Sequence, residues 1–256
     1  MSINACAALV EAGDPDRFLA AMAAPPDLRG GLFVLYALNL EIAKAPFVTQ
    51  EPMIAEMRLQ FWRDVVADAA VGKPVRAHEV AAPLAELVQA NALPVEILDE
   101  MVAARRFDIY PEDPGQSGLG LDLYLSRTGG HLMAMSGLAC GMAPSRIQDA
   151  TDVGTAMATA LWMRAIPDLA RHGRVQARDI DSDALVARAT AAQSLLRRHR
   201  DTPFGPGHHA LRAAWLTNWV LSRVIKDPRS AVDGALEPSE FTRRASLLLK
   251  SLRRRF

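Results

Sequence analysis

The sequence predicts an all-α protein, a single bundle of about ten helices, and three observations carry that reading. Half of its 256 residues are apolar and only 6% are aromatic, while Ala and Leu, both strong helix formers, dominate. β-branched runs are short, so propensity favours helix over strand. Apolar residues recur at spacings of three and four between proline and glycine breakers, and no segment alternates as a half-buried strand does. The length is sufficient to bury a large core, and the whole of 1–256 reads as one domain with a basic amphipathic helix at 239–256.

The elements follow in order. A first helix opens at Asp14-Pro15, with proline in its first turn, and closes at Pro25-Pro26. A second covers 28–45, with Leu32, Leu35, Tyr36 and Asn39 along one stripe, and ends before Pro46. Pro52 starts a third that runs to 70 and stops at Gly72 and Pro74; its buried stripe is predicted to contain Ile54, Met57, Phe61 and Val65. Helices at 79–91 and 94–110 precede a breaker-rich loop at 111–118. Long apolar helices then span 119–140 and 145–166. The second is apolar all round, which marks it as central. Helices at 181–200, 207–226 and 239–255 complete the bundle.

Several functional classes drop out. Lys and Arg number 29 and so do Asp and Glu, which leaves no basic surplus for nucleic acid. Cys6 and Cys140 fit no metal or redox spacing and read as buried or incidental thiols in a reducing cytoplasm. The first twelve residues lack a basic region, and Glu11, Asp14 and Asp16 interrupt any apolar run, so neither a signal nor a transit peptide is expected. The charge-poor stretch 128–144 is too short for a membrane span. A cytoplasmic protein, peripheral on the inner membrane, is the expectation. No phosphate loop, dinucleotide fingerprint, serine elbow or zinc-protease motif occurs. His208 and His209 are adjacent, so they point to different helix faces and are poorly placed to share a metal. Asp64 and Asp68 share a face at i and i+4 and could hold a divalent cation. A solvated acidic face beside Arg63 is the competing reading, and no second acidic pair accompanies them.

Three ordered segments carry a resemblance. Tyr36-Ala37-Leu38-Asn39-Leu40-Glu41-Ile42-Ala43 with Arg58-Leu59-Gln60-Phe61-Trp62-Arg63-Asp64, then Asp122-Leu123-Tyr124-Leu125-Ser126-Arg127-Thr128-Gly129-Gly130, then Met163-Arg164-Ala165-Ile166-Pro167-Asp168 with His172-Gly173-Arg174, resemble the squalene/phytoene synthases. The matching stretch is about 14–179. The resemblance implies the isoprenoid synthase fold, a helical bundle round a deep apolar cavity. In the active enzymes it implies two Asp-x-x-x-Asp pairs that hold Mg²⁺ on a substrate diphosphate. Aligned on those segments, Ala43, Lys44 and Phe47 stand where the first motif's carboxylates are expected. Ala165 and Leu169 occupy the second motif's two Asp positions, and Ala158 and Leu161 replace the amides before it. Asp168 is one position off, about a hundred degrees round the helix. Only Glu41 is near the first motif. Within the family, the retained pieces are similar to the branch that contains the mitochondrial complex I assembly factor and its bacterial relatives, held to be non-catalytic or of unsettled activity.

The expected function is therefore a non-catalytic assembly, scaffold or lipid-binding role linked to respiratory complex I, with an isoprenoid or other lipid ligand and a respiratory-complex assembly partner. No cofactor is expected. The alternative is an active Mg²⁺-dependent prenyltransferase using displaced ligands, Glu41 with Asp64 and Asp68. Candidate ligand-binding residues are Glu41, Arg58, Arg63, Tyr124, Arg127, Arg164 and Arg174. Several of them have a structural counterpart reading. Glu56 and Arg63 share a face and either line the cavity mouth or form a surface ladder. Arg164 follows an almost charge-free helix and either binds an anion or pairs with Glu41 or Asp168. Tyr124 either points into the cavity or packs in the core; Trp62 and Trp162 read as core. Small residues on the central helix (Gly154, Ala156, Ala158, Ala160) leave room for a cavity, or else allow close packing. At the C-terminus, Leu248, Leu249 and Leu252 share a face with Ala245 and Phe256, flanked by arginines. That face suits an anionic membrane surface or the bundle itself.

Overall fold

The computed structural model describes residues 2–49, 51–74, 76–110, 118–173, 175 and 180–252. Among these residues there is no strand. The chain begins with α1 (Ile3–Gly13), which the sequence reading left unassigned, and α2 (Pro15–Met22). They meet at Asp14, whose carboxylate accepts the Arg17 backbone N–H at 3.0 Å and its guanidinium at 2.7 Å. This N-cap fixes the corner between the two helices. Next comes α3 (Pro26–Lys44), in which residues 32–39 are all buried, including Asn39.

The fourth helix, α4 (Pro52–Ala70), has the predicted bounds but a different buried face. Its sequence offers two apolar stripes. The one that carries Trp62, with Ala55, Leu59, Val66 and Ala69, turns inward, and Val65 goes with it. Ile54 and Met57, predicted inside, are 45% and 66% exposed, and Phe61 is half-buried. The burial of the large indole outweighs that of a flexible thioether.

Three predicted helices are interrupted. Residues 94–110 form α6 (Val95–Ala103) after α5 (Ala81–Asn91), then a turn at Arg105 and the short α7 (Arg106–Ile109). Residues 119–140 form α8 (Leu121–Leu125), a π turn (Ser126–Gly130) and α9 (His131–Ala139). The central helix, α10 (Ile147–Arg171), runs past the predicted end and holds Pro167 inside it. One lost backbone bond does not stop a helix packed along its length. The remainder is α11 (Ser182–Arg198), α12 (His208–Leu211), α13 (Thr217–Lys226), α14 (Arg229–Val232) and α15 (Glu240–Leu252). The predicted 207–226 helix is thus broken, by a 3₁₀ turn at Arg212–Ala214.

The core is built round α10, which packs on the π turn, α9, α11 and α13. The closest approach is glycine on glycine. A Cβ on Gly154 would lie 2.5 Å from the Gly129 carbonyl oxygen and 2.5 Å from the Met133 Cβ; one on Gly129 would lie 2.5 Å from the Ala158 Cβ. The small residues of α10 therefore divide their work. Gly154 only permits close packing, whereas Ala158 both packs on Gly129 and borders the cavity.

The C-terminal helix is clasped to the bundle by one ion cluster. Arg243 donates to Asp16 at 2.6 Å, and Leu247 packs beside Trp215 and Leu216. Its other apolar side chains face out: Phe241, Leu248 and Leu249 are exposed. Arg253, Arg254, Arg255 and Phe256, part of the predicted amphipathic face, lie outside the described residues, as does the Leu252 side chain.

The glycine crossing gives a test by sign. Gly to Ala inside a helix ordinarily stabilises by about 1 kcal/mol. Gly154→Ala should instead destabilise by about 1–3 kcal/mol, because the added methyl overpacks a backbone contact. Gly120→Ala, with open space around its Cβ, should be near neutral. Urea midpoints of the two variants decide it, and a stabilised Gly154→Ala would refute the contact.

Candidate functional site: a half-closed apolar cavity with a buried polar floor

A cavity of about 460 Å³ lies between α3, α7, α8, the π turn and α10. Its size is that of small-molecule pockets. The walls are mostly apolar, with Phe107, Leu121, Leu125, Ala158, Leu161 and Trp162 among them. One end is deep: Asn39, Tyr124, Leu125, Thr128 and Ala158 are all buried. The other end opens towards half-buried or exposed residues, Ala43, Phe47, Ala165, Leu169 and Val175. Phe47 also meets the His172 ring edge-on at 6.4 Å.

The deep end is organised by one guanidinium. Arg105 comes from the turn that interrupts the predicted 94–110 helix, and that break aims it inward. It donates to the Tyr124 hydroxyl at 2.8 Å, to the Asn39 carbonyl oxygen at 3.0 Å and to Asp108 at 3.4 Å. The Tyr124 hydroxyl donates to the same Asp108 carboxylate at 2.9 Å. The Phe107 and Tyr124 rings stack at 4.6 Å, and Arg105 sits over the Tyr124 ring. Burial opposes the Arg105 charge, but Tyr124 and Asp108 outweigh it and hold the guanidinium above its ordinary pKa. Burial raises the Tyr124 pKa, against the lowering effect of Arg105, so the phenol stays neutral. Beside this cluster, Arg17 lines the cavity with its guanidinium over the Tyr36 ring and its charge paired to Asp14 at 2.7 Å. The Thr128 hydroxyl is satisfied by the Tyr124 carbonyl at 2.7 Å.

The sequence-derived candidates separate cleanly. Ala43, Phe47, Ala165 and Leu169 come together on the cavity wall, and Tyr124 reaches its floor. Lys44 and Glu41 pair with each other at 3.5 Å, off that wall. Arg63 is held by Asp99 in a two-point contact at 2.7 and 2.9 Å, Glu56 by Arg106 at 2.8 Å, and Arg127 by Glu100 at 3.6 Å. None of these lines the cavity, and Arg58 is exposed on α4. Arg164 is structural, but its partners are Asp16 at 3.1 Å and Glu237 at 2.8 Å rather than Glu41 or Asp168. Asp64 lies near Gln60 and Arg76, and Asp68 near Lys73. Among the described residues no group of three or more His, Cys, Asp or Glu is arranged to hold a metal ion. Arg174 lies outside the described residues. Trp162, read from sequence as core, is a cavity wall.

Arg105, Asp108 and Arg17 were missed altogether. The available signal was an arginine pair, Arg105-Arg106, closing an apolar helix, and an asparagine on the buried stripe of α3.

An all-α bundle wrapped round a half-closed apolar cavity is the isoprenoid synthase architecture. A crystal structure of a dehydrosqualene synthase in complex with ligand superposes on 96% of this chain and 94% of its own, with a TM-score of 0.77 and 16% identity. The profile of the squalene/phytoene synthase family matches residues 10–177, and the chain belongs to that family. It is also similar to a Drosophila melanogaster protein named as a complex I assembly factor 6 homolog, 29% identical over 202 residues, or 77% of this chain and 59% of the relative. The human complex I assembly factor 6 is 25% identical over 198 residues, 77% of this chain and 58% of its own length. The chain thus spans less than two thirds of these relatives.

The buried charge cluster yields a double-mutant cycle. Arg105→Leu or Asp108→Leu alone strands its partner and should cost about 3–5 kcal/mol. The double variant should cost clearly less than the sum of the two. Additive losses in urea denaturation would show that the two side chains do not depend on each other.

Proposed function

We propose that this protein is a non-catalytic member of the squalene/phytoene synthase family that serves respiratory complex I assembly and keeps its cavity as a lipid pocket. The observation that carries the reading is the identity of the residues at the open end. Ala43 and Phe47 on and after α3, with Ala165 and Leu169 on α10, bring only carbon to that wall. A divalent cation takes hard oxygen ligands, and a departing diphosphate needs that charge beside it. These residues do not fit such a cluster. Asp64 and Asp68 sit on α4, off the cavity wall, next to cations of their own. The family resemblance to assembly factors named from fly and human supports the assembly role.

Two assays test this reading. Farnesyl or geranylgeranyl diphosphate incubated with protein and Mg²⁺ should release no diphosphate above a no-protein blank. Release that disappears in Asp64→Ala would establish the prenyltransferase instead. Tagged protein recovered from detergent-solubilised membranes after crosslinking should carry complex I subunits, and their absence would contradict the assembly role.

No helix among the described residues is long and apolar enough to cross a membrane. A peripheral contact is proposed through α15, where Phe241, Leu248 and Leu249 are exposed near Arg244. Basic amphipathic helices of this kind bind anionic bilayers with about 1 kcal/mol per nearby cation. The intact chain should co-sediment with phosphatidylserine-containing liposomes at low salt and lose binding when truncated after Glu240. Equal sedimentation of both would exclude the helix as the contact.

A further inference from the structure

Resting on the reading of the cavity as a lipid pocket, we infer that its ligand is an uncharged, long apolar molecule whose polar head is a carbonyl or hydroxyl oxygen, held by the side-chain amide of Asn39. The polar side chains that line the cavity are those of Arg17, Asn39, Arg105, Asp108, Tyr124 and Thr128. Charge comes first. The two cations are each matched by one carboxylate, Arg17 by Asp14 at 2.7 Å and Arg105 by Asp108 at 3.4 Å. The described lining therefore offers a diphosphate, or any multiply charged head, no net positive charge. Taking such a head out of water without compensation is prohibitive.

Hydrogen-bond capacity comes second. Thr128 is spent on the Tyr124 carbonyl, and the Tyr124 hydroxyl both accepts from Arg105 and donates to Asp108. The unpartnered Nε atoms of Arg17 and Arg105 are sealed inside protein. Asn39 differs. A guanidinium only donates, so the Asn39 atom 3.0 Å from Arg105 must be its carbonyl oxygen. Its amide nitrogen is thereby the other atom. Among the described residues that nitrogen has no hydrogen-bond partner, yet it is not sealed like the two Nε atoms. It is a fixed donor at the deep end of an apolar cavity, its orientation locked by Arg105. A donor so placed selects an acceptor, and the balanced charge around it selects a neutral one.

The test compares heads on one chain. Equilibrium dialysis of the full protein would use farnesol, the ketone geranylacetone, the hydrocarbon farnesene and farnesyl monophosphate. The alcohol and the ketone should bind roughly three- to ten-fold more tightly than the hydrocarbon, the worth of one hydrogen bond, and the monophosphate more weakly than either. Asn39→Asp keeps the acceptor for Arg105 but removes the donor. It should reduce the ketone to the level of the hydrocarbon, while the alcohol, which can donate to the new carboxylate, is retained. Equal binding of hydrocarbon and ketone by the unmodified protein overturns the proposal, as does tighter binding of the monophosphate. So does a folded Asn39→Asp that binds the ketone unchanged. Should Asn39→Asp fail to fold, the comparison of heads on the unmodified protein still decides. None of these outcomes bears on recovery of complex I subunits, so failure here is distinguishable from failure of the assembly role.

Discussion

The structure turns on one buried charge. Arg105 is placed inside the protein by the turn that ends α6, and it cannot give up its proton to ease the cost. Its neighbours are fixed in consequence. Asp108 sets its carboxylate beside it, Tyr124 presents its hydroxyl to both, and Asn39 turns its side-chain carbonyl inward. Those residues come from α3, α7 and α8 and from the turn between α6 and α7. A single guanidinium thereby ties together the elements that form the floor of the cavity. The price is a rigid polar cluster in an apolar interior, tolerated because every strong charge there has a counterpart.

The second constraint is steric. The π turn and α10 approach until backbone touches backbone, which only glycine at 129 and 154 allows. One helical turn further along α10, Ala158 still packs on Gly129 but also borders the cavity, and the wall continues through Leu161, Trp162, Ala165 and Leu169. Close packing and open cavity are thus adjacent on one helix, separated by a few residues of similar size. Size alone does not tell them apart; the partner across the interface does.

This explains what the sequence made legible. Long periodic segments with proline and glycine at their ends, such as α3, α4 and α10, were placed well because local propensity and breakers agree with the tertiary fold. The family resemblance pointed to Ala43, Phe47, Ala165 and Leu169, and the structure brings those four to one wall. The inner face of α4 was misread because two apolar stripes compete and only tertiary packing chooses the one with Trp62. The internal π turn and the break at Arg105 leave no periodic trace. Arg105 and Asp108 were invisible because a buried arginine looks, in sequence, like any surface arginine. Arg58, Arg63 and Arg127 looked more promising and lie off the cavity.

The chain keeps the fold of its family, while the described residues at the open end of the cavity bring carbon and those of its floor balance their charges. The most direct measurement is a phosphorus NMR titration of inorganic diphosphate with the full protein, with and without Mg²⁺. The account predicts that the diphosphate resonances are unchanged by protein in both arms. A saturable shift or broadening that requires both Mg²⁺ and protein would mean that a metal–diphosphate site survives, and the account would be wrong.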